Sequence, residues 1–552
     1  MGFVLRRSLP SIVGLIGLAI AVGFLLVVFA GAPLWFPAVF AIGLILLQYV
    51  INPRVIEWMV PAGVIDHDGT RYLTEHPLGA LVARRCHDAG VPLVKLGIVD
   101  DGMPNAFTFG HHQADARMWV TRGLLERLDE RELDAVVSHE VGHVKHRDFV
   151  LMTVAAVIPM LLYFLFLMSR FARDRRAQGL ALGAYLAYLI SSFMLLALGR
   201  AREYSADHWS CEATGDGDAL ASALVKIAYG MGQVKAEEQV EAAALVASGK
   251  AGKAEAAERQ RSTSRLRSMR AMGIFEPRAA DAMAVAFGQG IDADRAVGAM
   301  RWETVNPWGR TLELMASHPL VAHRIEALER SGLPGAPRSW SMLRATADVD
   351  PNTRMSLRSR WARELAIAYG PWVLLVVMLF LGVFTHSTTA FGLALTLAGG
   401  GLLYKQLLRF PMHSEQPSAE ITSLLERLDA GPVTAIPVEV QGRVIGRGTP
   451  GYVLSPDMVV QDQSGFVPLV WRQPVPLARA WFGLSKMAAY LGQPVVAQGW
   501  YRRTPGPVIE LREVRAADGR SSKTWWWAAC YGASAAMLAI GLIVALVGIA
   551  GG

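Results

Sequence analysis

Charge and cysteine are both scarce in this 552-residue chain. Charged residues make up 18% of it, against about 25% in soluble globular proteins, while 52% is hydrophobic and the mean hydropathy is +0.30. That balance excludes a disordered chain and an ordinary soluble enzyme. The three cysteines, Cys86, Cys211 and Cys530, are far apart and odd in number, so no disulfide framework is implied and a reducing compartment fits. Neither sign of charge dominates. The 54 Lys and Arg against 47 Asp and Glu leave +7, too little over this length to point to nucleic acid. At roughly 150 residues per domain, the length predicts three or four units.

What the chain does have is long apolar runs. A bilayer crossing takes about 20 residues, and seven runs qualify: 11–30, 34–51, 149–168, 177–198, 366–385, 387–404 and 525–550, none with a charged residue. Arg6 and Arg7 precede the first, but its apolar core is longer than that of a signal peptide and no small-residue cleavage site follows, so it reads as a retained span. The runs divide the chain into an N-terminal transmembrane hairpin (1–51), a soluble stretch (52–148), a second hairpin (149–198), a second soluble stretch (199–365), a third hairpin (366–404), a soluble domain (405–523) and a C-terminal span (524–552). Arg6, Arg7, Arg54, Lys145, Arg147, Arg200, Arg358 and Lys405 gather on the side of the N-terminus. That predicts a multi-pass protein of the cell (inner) membrane with its N-terminus and soluble domains cytoplasmic. Arg170, Arg173, Arg175 and Arg176 run against the rule: either the 149–198 hairpin does not cross fully, or they sit at far-side headgroups. Residues 235–262, rich in Ala, Glu and Lys, read as a solvated helix or flap.

The stretch DERELDAVVSHEVGHVKHRDF, Asp129 to Phe149, carries apolar residues at helical spacing. His139 and His143 are four apart, so on a helix their imidazoles project from one face and can share a tetrahedral metal. Neutral imidazoles hold Zn²⁺ without cancelling its charge, and Glu140 beside them can deprotonate a bound water. In a chain with 13 His, chance alone yields this five-residue pattern in a few per cent of cases, so context has to raise it. A catalytic zinc needs a third protein ligand. His146 shares the face, but a rigid helix cannot bend three successive turns around one ion. Glu203, in GRAREYSADHWS, is the better candidate: the two apolar spans between it and His143 go out and return, at about 30 Å each, and bring the chain back to the side it left. Asp207, one turn on, can accept the other N–H of a ligating imidazole. The competing reading of Glu203 and Asp207 is surface pairing with Arg200 and Arg202.

Together HEVGHVKHRD, REYSAD, PNAFTFG (Pro104 to Gly110) and NPWGRTLELMASHPLVAHRIEAL (Asn306 to Leu328) resemble the HtpX-like membrane zinc metalloproteases, gluzincins related to the CAAX prenyl endopeptidases. The resemblance covers about 60–330 and the N-terminal hairpin. It implies a zincin-like α+β catalytic domain with His139, His143 and Glu203 on zinc, Glu140 as general base and Asp207 supporting a ligand. It further implies that Asn105, Ala106 and Phe107 lie at an edge strand that holds the substrate backbone, and that His318 and Arg324 face the oxyanion or the substrate carbonyls. His318 and Arg324 share a helix face only if Pro319 starts that helix. His323, His111 and His112 read as solvated.

Strand-like runs near 436–446, 457–462, 465–471, 493–503 and 507–515, with a helical stretch between the third and fourth, match the order of an OB-type barrel, which the resemblance does not reach. The expected fold is therefore a mainly α polytopic membrane protein with a zincin-like α+β catalytic domain and a C-terminal all-β OB-like domain. Trp471, Trp500 and Tyr501 with Arg443, Arg447, Arg472, Arg502 and Arg503 could bind single strands. A domain tethered between spans favours core aromatics with arginines facing solvent or anionic headgroups instead, so nucleic acid is not an expected partner. The expected partners are polypeptide substrates, membrane proteins foremost, and the lipid bilayer; the oligomeric state is open. The expected activity is zinc-dependent endopeptidase action on membrane or misfolded proteins. A CAAX-type prenyl-peptide protease and a membrane-tethered scaffold built on the barrel are the alternatives, and the intact Glu140 argues against the scaffold.

Overall fold

The computed structural model describes residues 49–51, 53–58, 60, 62–64, 77–102, 104–170, 175–228, 293–412, 417–447, 455–504 and 506–550. The run at 11–30, nearly all of 34–51 and the segment 235–262 lie outside them. The chain forms two compact units. One contains residues up to 230 together with 262–277 and 311–343; the other contains 231–261, 278–310 and 344–552.

The first unit is built on a small sheet of β1 (Gly63–Val64), β2 (Lys95–Val99), β3 (Ala106–Phe109) and β4 (Arg117–Thr121). The order is β1-β2-β4-β3, with β2 and β4 parallel and the other pairs antiparallel, so β3 is an edge among the described strands. Val60, Val99, Phe107, Phe109 and Trp119 form one core cluster. Helix α1 (Pro77–Ala89) precedes β2. Helix α2 (Glu130–Lys145) starts on a capping box: the Asp129 carboxylate accepts from the Glu132 N–H, and the Glu132 side chain accepts from the Asp129 N–H. Beyond Lys145 the chain bends by 57° into the next helix, with Arg147 in the left-handed region at φ 56°. That helix, α3 (Asp148–Arg170), is followed by the 40-residue α4 (Arg175–Thr214). The apolar run at 177–198 and the carboxylate-bearing segment after it thus belong to one unbroken helix. Helix α5 is Val321–Arg330.

Gly142 fixes how closely α2 and α4 approach. A Cβ there would stand 3.0 Å from the Trp209 ring and 3.2 Å from Ala206 Cα, so a larger residue would require Trp209 or the α4 backbone to give by a few tenths of an ångström.

In the second unit α6 (Pro351–Thr385), α7 (Thr388–Arg409) and α8 (Trp526–Ala550) cover the runs at 366–385, 387–404 and 525–550. These three, with Gly179–Thr214 of α4, are the described helices long and apolar enough to cross a membrane singly; α2 with α3 makes a fifth if that bent pair is one span. Helices α7 and α8 pack antiparallel through small residues. Cβ atoms on Gly392 and Gly399 would fall 2.1 and 2.4 Å from the backbone of Ala545 and Leu538, and those on Gly541 and Gly548 equally near Thr396 and Thr389. Without a hydrophobic drive between helices in lipid, such close backbone contact is what holds them.

Between α7 and α8 lie β5 (Ile436–Arg447), β6 (Met458–Gln461), β7 (Phe466–Val470), β8 (Pro494–Thr504), β9 (Gly506–Ala516) and β10 (Ser521–Lys523). The order β10-β9-β7-β6-β5-β8 closes through a β8–β9 pairing, so the first five of these strands form a barrel. The β7–β9 pair is parallel and the others antiparallel. Short helical turns over 476–490 separate β7 from β8. Tyr501, Val440, Val460, Leu469 and Val514 fill the interior, while Trp500, next to Tyr501 on β8, points to the other face and packs on Phe410. The aromatics considered for strand binding are therefore not available at the surface: Trp471, Trp500 and Tyr501 are all buried. Arg502 and Arg503, expected to face solvent or anionic headgroups, are buried; Arg503 donates to the carbonyls of Leu425 and Ala299 and lies over the Trp302 ring.

Candidate metal centre

His139 and His143 rise from adjacent turns of α2, and Glu203 comes from α4. All three are buried, and their ligand atoms lie within 4.8 Å of one another. The two Nε2 atoms are 3.2 Å apart, and Glu203 Oε2 and Oε1 stand 3.6 Å from those of His139 and His143 respectively. Ligands about 2.0–2.1 Å from a tetrahedral ion stand about 3.4 Å from one another, so the donor set fits a divalent metal. Buried acceptors with no hydrogen-bond partner say the same: Glu203 Oε2 and Glu140 Oε2 both lack one, a state that carries a desolvation cost unless a cation or proton satisfies it.

Each imidazole is oriented through its other nitrogen. His139 Nδ1 lies 2.9 Å from Asp207 Oδ1, and His143 Nδ1 lies 2.6 Å from Asp148 Oδ2. Both Nε2 atoms are thereby turned toward Glu203, where a metal would take the place of the proton that these carboxylates otherwise hold on His139. Burial pushes the His139 imidazole down, but the Asp207 and Glu203 carboxylates outweigh it and hold it raised to about 9. Asp148 in turn has Arg202 Nε at 3.2 Å. Sequence reasoning missed Asp148, though it ends the quoted HEVGHVKHRD; only the 57° bend carries it back to His143.

Arg324 is fully buried in the first turn of α5, where its Nε and Nη2 donate to Asp207 at 2.8 and 2.5 Å. Burial lowers its guanidinium and Asp207 more than offsets it, leaving it raised. The expectation that Arg324 faces the substrate is thereby corrected: Asp207 needs a counter-charge inside the protein, and Arg324 supplies it. His318 lies before α5, which starts only at Val321, so the two do not share a helix face. Its Nδ1 comes to 3.2 Å from Glu203 Oε2 without hydrogen-bond alignment. Arg200 donates to the carbonyls of Glu313, Leu314 and Ala316, fixing the loop that carries His318. His323 is buried against Glu313 rather than solvated, and His111 is half-buried against Asp115. His146 caps the end of α2, outside the three-ligand cluster.

A cleft of about 340 Å³ opens onto this centre, lined by Glu140, His143, Glu203 and His318 on one side and by Phe107, Thr108 and Phe109 of β3 on the other. In β3 the Thr121 N–H donates to the Asn105 carbonyl, and the Asn105 N–H donates to Thr121 Oγ1. With that pair bonded, alternation in an antiparallel ladder engages Phe107 and Phe109 with β4 and turns the backbone groups of Ala106 and Thr108 outward. Asn105 and Phe107, expected to bind substrate, are thus occupied, and the Phe107 ring is core.

Comparison with known proteins covers the stretch that holds this centre. Residues 73–331 match the profile of Peptidase family M48. Protease HtpX homolog of Methanothermobacter thermautotrophicus is 38% identical over 206 residues, 37% of this chain and 77% of that protein. Protease HtpX homolog of Moorella thermoacetica is 35% identical over 264 residues, covering 44% and 86%. This chain belongs to the HtpX-like proteases of family M48. As a member it is a multi-pass membrane peptidase, and the family match ends at residue 331, before the barrel begins at Ile436. Among solved structures, S. mikatae Ste24p matches at 16% identity over 38% of this chain and 55% of that one, with a TM-score of 0.28, too slight a likeness to support a functional conclusion.

Proposed function

We propose that this HtpX-like protease is a zinc-dependent endopeptidase that hydrolyses membrane or misfolded proteins at the cytoplasmic face of the cell membrane, in protein quality control. The observation that carries the reading is the convergence of His139, His143 and Glu203 at tetrahedral separations, with Glu140 buried beside them and the cleft leading in. His139, His143 and Glu203 would hold the ion, and Asp207 and Asp148 would keep the imidazoles in register. When bound, zinc acidifies a water and polarises a carbonyl. Glu140 takes the proton from the attacking water and returns it to the departing amine, with no covalent intermediate. His318 donates to the developing oxyanion, a contribution of about 3 kcal/mol for one well-aimed donor. The substrate pairs as a strand with Ala106 and Thr108, so that backbone bonds supply affinity and specificity is loose; this suits a clearance role.

The first unit is of the zincin type in this reading, since a sheet edge, a helix bearing both histidines and a later carboxylate ligand are its working parts. The barrel is of the OB type, supported by its closed five-strand order, the parallel β7–β9 pair and the helical turns between β7 and β8. The cytoplasmic face follows from the Lys and Arg at the span ends.

The test is Glu140→Gln in the purified full-length protein. Zinc content and fold are expected to persist while cleavage of an unfolded membrane protein falls by about 10²–10⁴-fold; retained cleavage would remove Glu140 from its role. Cleavage of a farnesylated peptide in preference to unfolded protein would transfer the site to prenyl-peptide processing.

A further inference from the structure

The second unit carries a cluster of opposite character to the metal centre. Glu510 on β9 is buried, and its carboxylate is shared by Arg502, Arg409 at 3.2 Å and Arg472 at 3.9 Å. Lys405 stands one turn before Arg409 on α7, and its Nζ is 3.3 Å from the Ala368 carbonyl. Three arginines therefore share one carboxylate, with a fourth cation, Lys405, one turn from Arg409. Arg502 Nε, Arg409 Nε and Glu510 Oε1 are buried with no hydrogen-bond partner. Burial pushes the Arg502 guanidinium down to about 10, and Arg409 and Arg472 push the same way against Glu510. Such an excess of positive charge is costly inside a protein unless an anion completes it.

Its location defines the anion. Arg409 is the last residue of α7 and Trp526 the first of α8, and the antiparallel packing of these spans brings both ends to one membrane surface. Phe410 and Trp500 pack there with Trp526, Trp527 and Tyr531, while Trp525 and Tyr404 are exposed. Aromatics of this kind gather at headgroup level, and basic pockets at that depth take anionic headgroups. Trp526 Nε1, buried without a partner, is a further donor in this aromatic layer.

We propose that Lys405, Arg409, Arg472 and Arg502 form a site for the phosphate of an anionic phospholipid headgroup at this end of α7 and α8. Arg472, the most exposed of the three arginines at 38% of its side chain, is the entry side. The headgroup supplies the negative charge that Glu510 alone does not, and ties the barrel to the bilayer surface.

The test uses the full-length Glu140→Gln protein, so that self-cleavage does not interfere, in vesicles of phosphatidylcholine alone or mixed equally with phosphatidylglycerol. Lipid retained through detergent extraction is read by native mass spectrometry. Phosphatidylglycerol is expected to be retained over phosphatidylcholine, and the added pair Lys405→Gln and Arg472→Gln is expected to weaken retention about thirty-fold. Lys405→Arg with Arg472→Lys, which keeps the charge, should restore it, and Arg515→Gln, an exposed arginine elsewhere on the barrel, should leave it unchanged. Equal retention of both lipids, or no loss in the double variant while the charge-preserving one is folded, would overturn the proposal. Displacement of phosphatidylglycerol by millimolar inorganic phosphate, or by a single-stranded oligonucleotide, would reassign the cluster to a soluble anion.

Discussion

The metal centre and the barrel cluster are buried charge networks of opposite sign. At the first, Glu140, Asp148, Glu203 and Asp207 face two guanidiniums, Arg202 and Arg324, and the His139 imidazole that these carboxylates hold protonated until a metal displaces the proton. At the second, Arg409, Arg472 and Arg502 face Glu510 alone, with Lys405 one turn from Arg409. Both retain polar atoms without partners. The difference teaches what incomplete neutralisation means inside a protein: the first network is complete with a divalent cation, the second with an anion. Carboxylates that are already answered, such as Asp207 by Arg324, orient ligands instead of binding them.

The largest expected effect breaks the first network. Glu203→Gln leaves two imidazoles without their charged partner; elemental analysis should show zinc lost from the purified protein. Proteolysis should fall at least about 10³-fold, the equivalent of several kcal/mol of transition-state stabilisation. Zinc and activity retained at wild-type levels would end the assignment of Glu203 as a ligand.

The matching break in the second network is Glu510→Gln. Removing the one carboxylate from buried cations should lower stability by about 3–5 kcal/mol, measured as a fall in the barrel's thermal or denaturant midpoint. Burial pushes the Glu510 carboxyl up, and Arg502, Arg409 and Arg472 together outweigh it, leaving it lowered. Its contribution is therefore complete above the unfolded-state value of about 4.3 and lost as pH falls through the lower folded-state value. Wild type should lose stability on acidification through that window, and Glu510→Gln should not; parallel curves would show that Glu510 carries no such linkage.

A smaller effect sharpens the comparison within the metal centre. Asp148→Asn keeps the hydrogen bond's shape but removes its charge, and should weaken zinc about 10–100-fold in competition with a chelator, with the fold intact. Unchanged affinity would reduce Asp148 to a partner of Arg202. The smallest belongs to an exposed pair: Arg122 and Asp100 meet at 2.9 Å with 60% and 86% of their side chains exposed, so Asp100→Asn should change stability by less than about 1 kcal/mol. A larger loss would mean that burial is not what separates the networks from the surface.

Much of this was legible before any coordinates. The helical spacing of His139 and His143, the return of the chain to Glu203 through apolar spans and the alternation of the barrel strands are periodic signals, and periodicity survives in one dimension. Residue chemistry named His139, Glu140, His143, Glu203 and Asp207 as a set. What failed were statements about direction. Arg324 in HPLVAHR offers nothing in sequence to distinguish a substrate contact from a buried partner of Asp207, since the two residues are 117 positions apart. Asp148 was in plain view in the motif, but only the bend at Arg147 aims it at His143.

The sequence by itself thus determined which elements form and which chemistry they carry, because local periodicity, capping and ligand type act over a few residues. Only the tertiary structure decided which charges answer one another, because Coulomb interactions and burial depend on distance through space. That is why Glu510 among its arginines, and Asp207 beneath Arg324, could not be found along the chain.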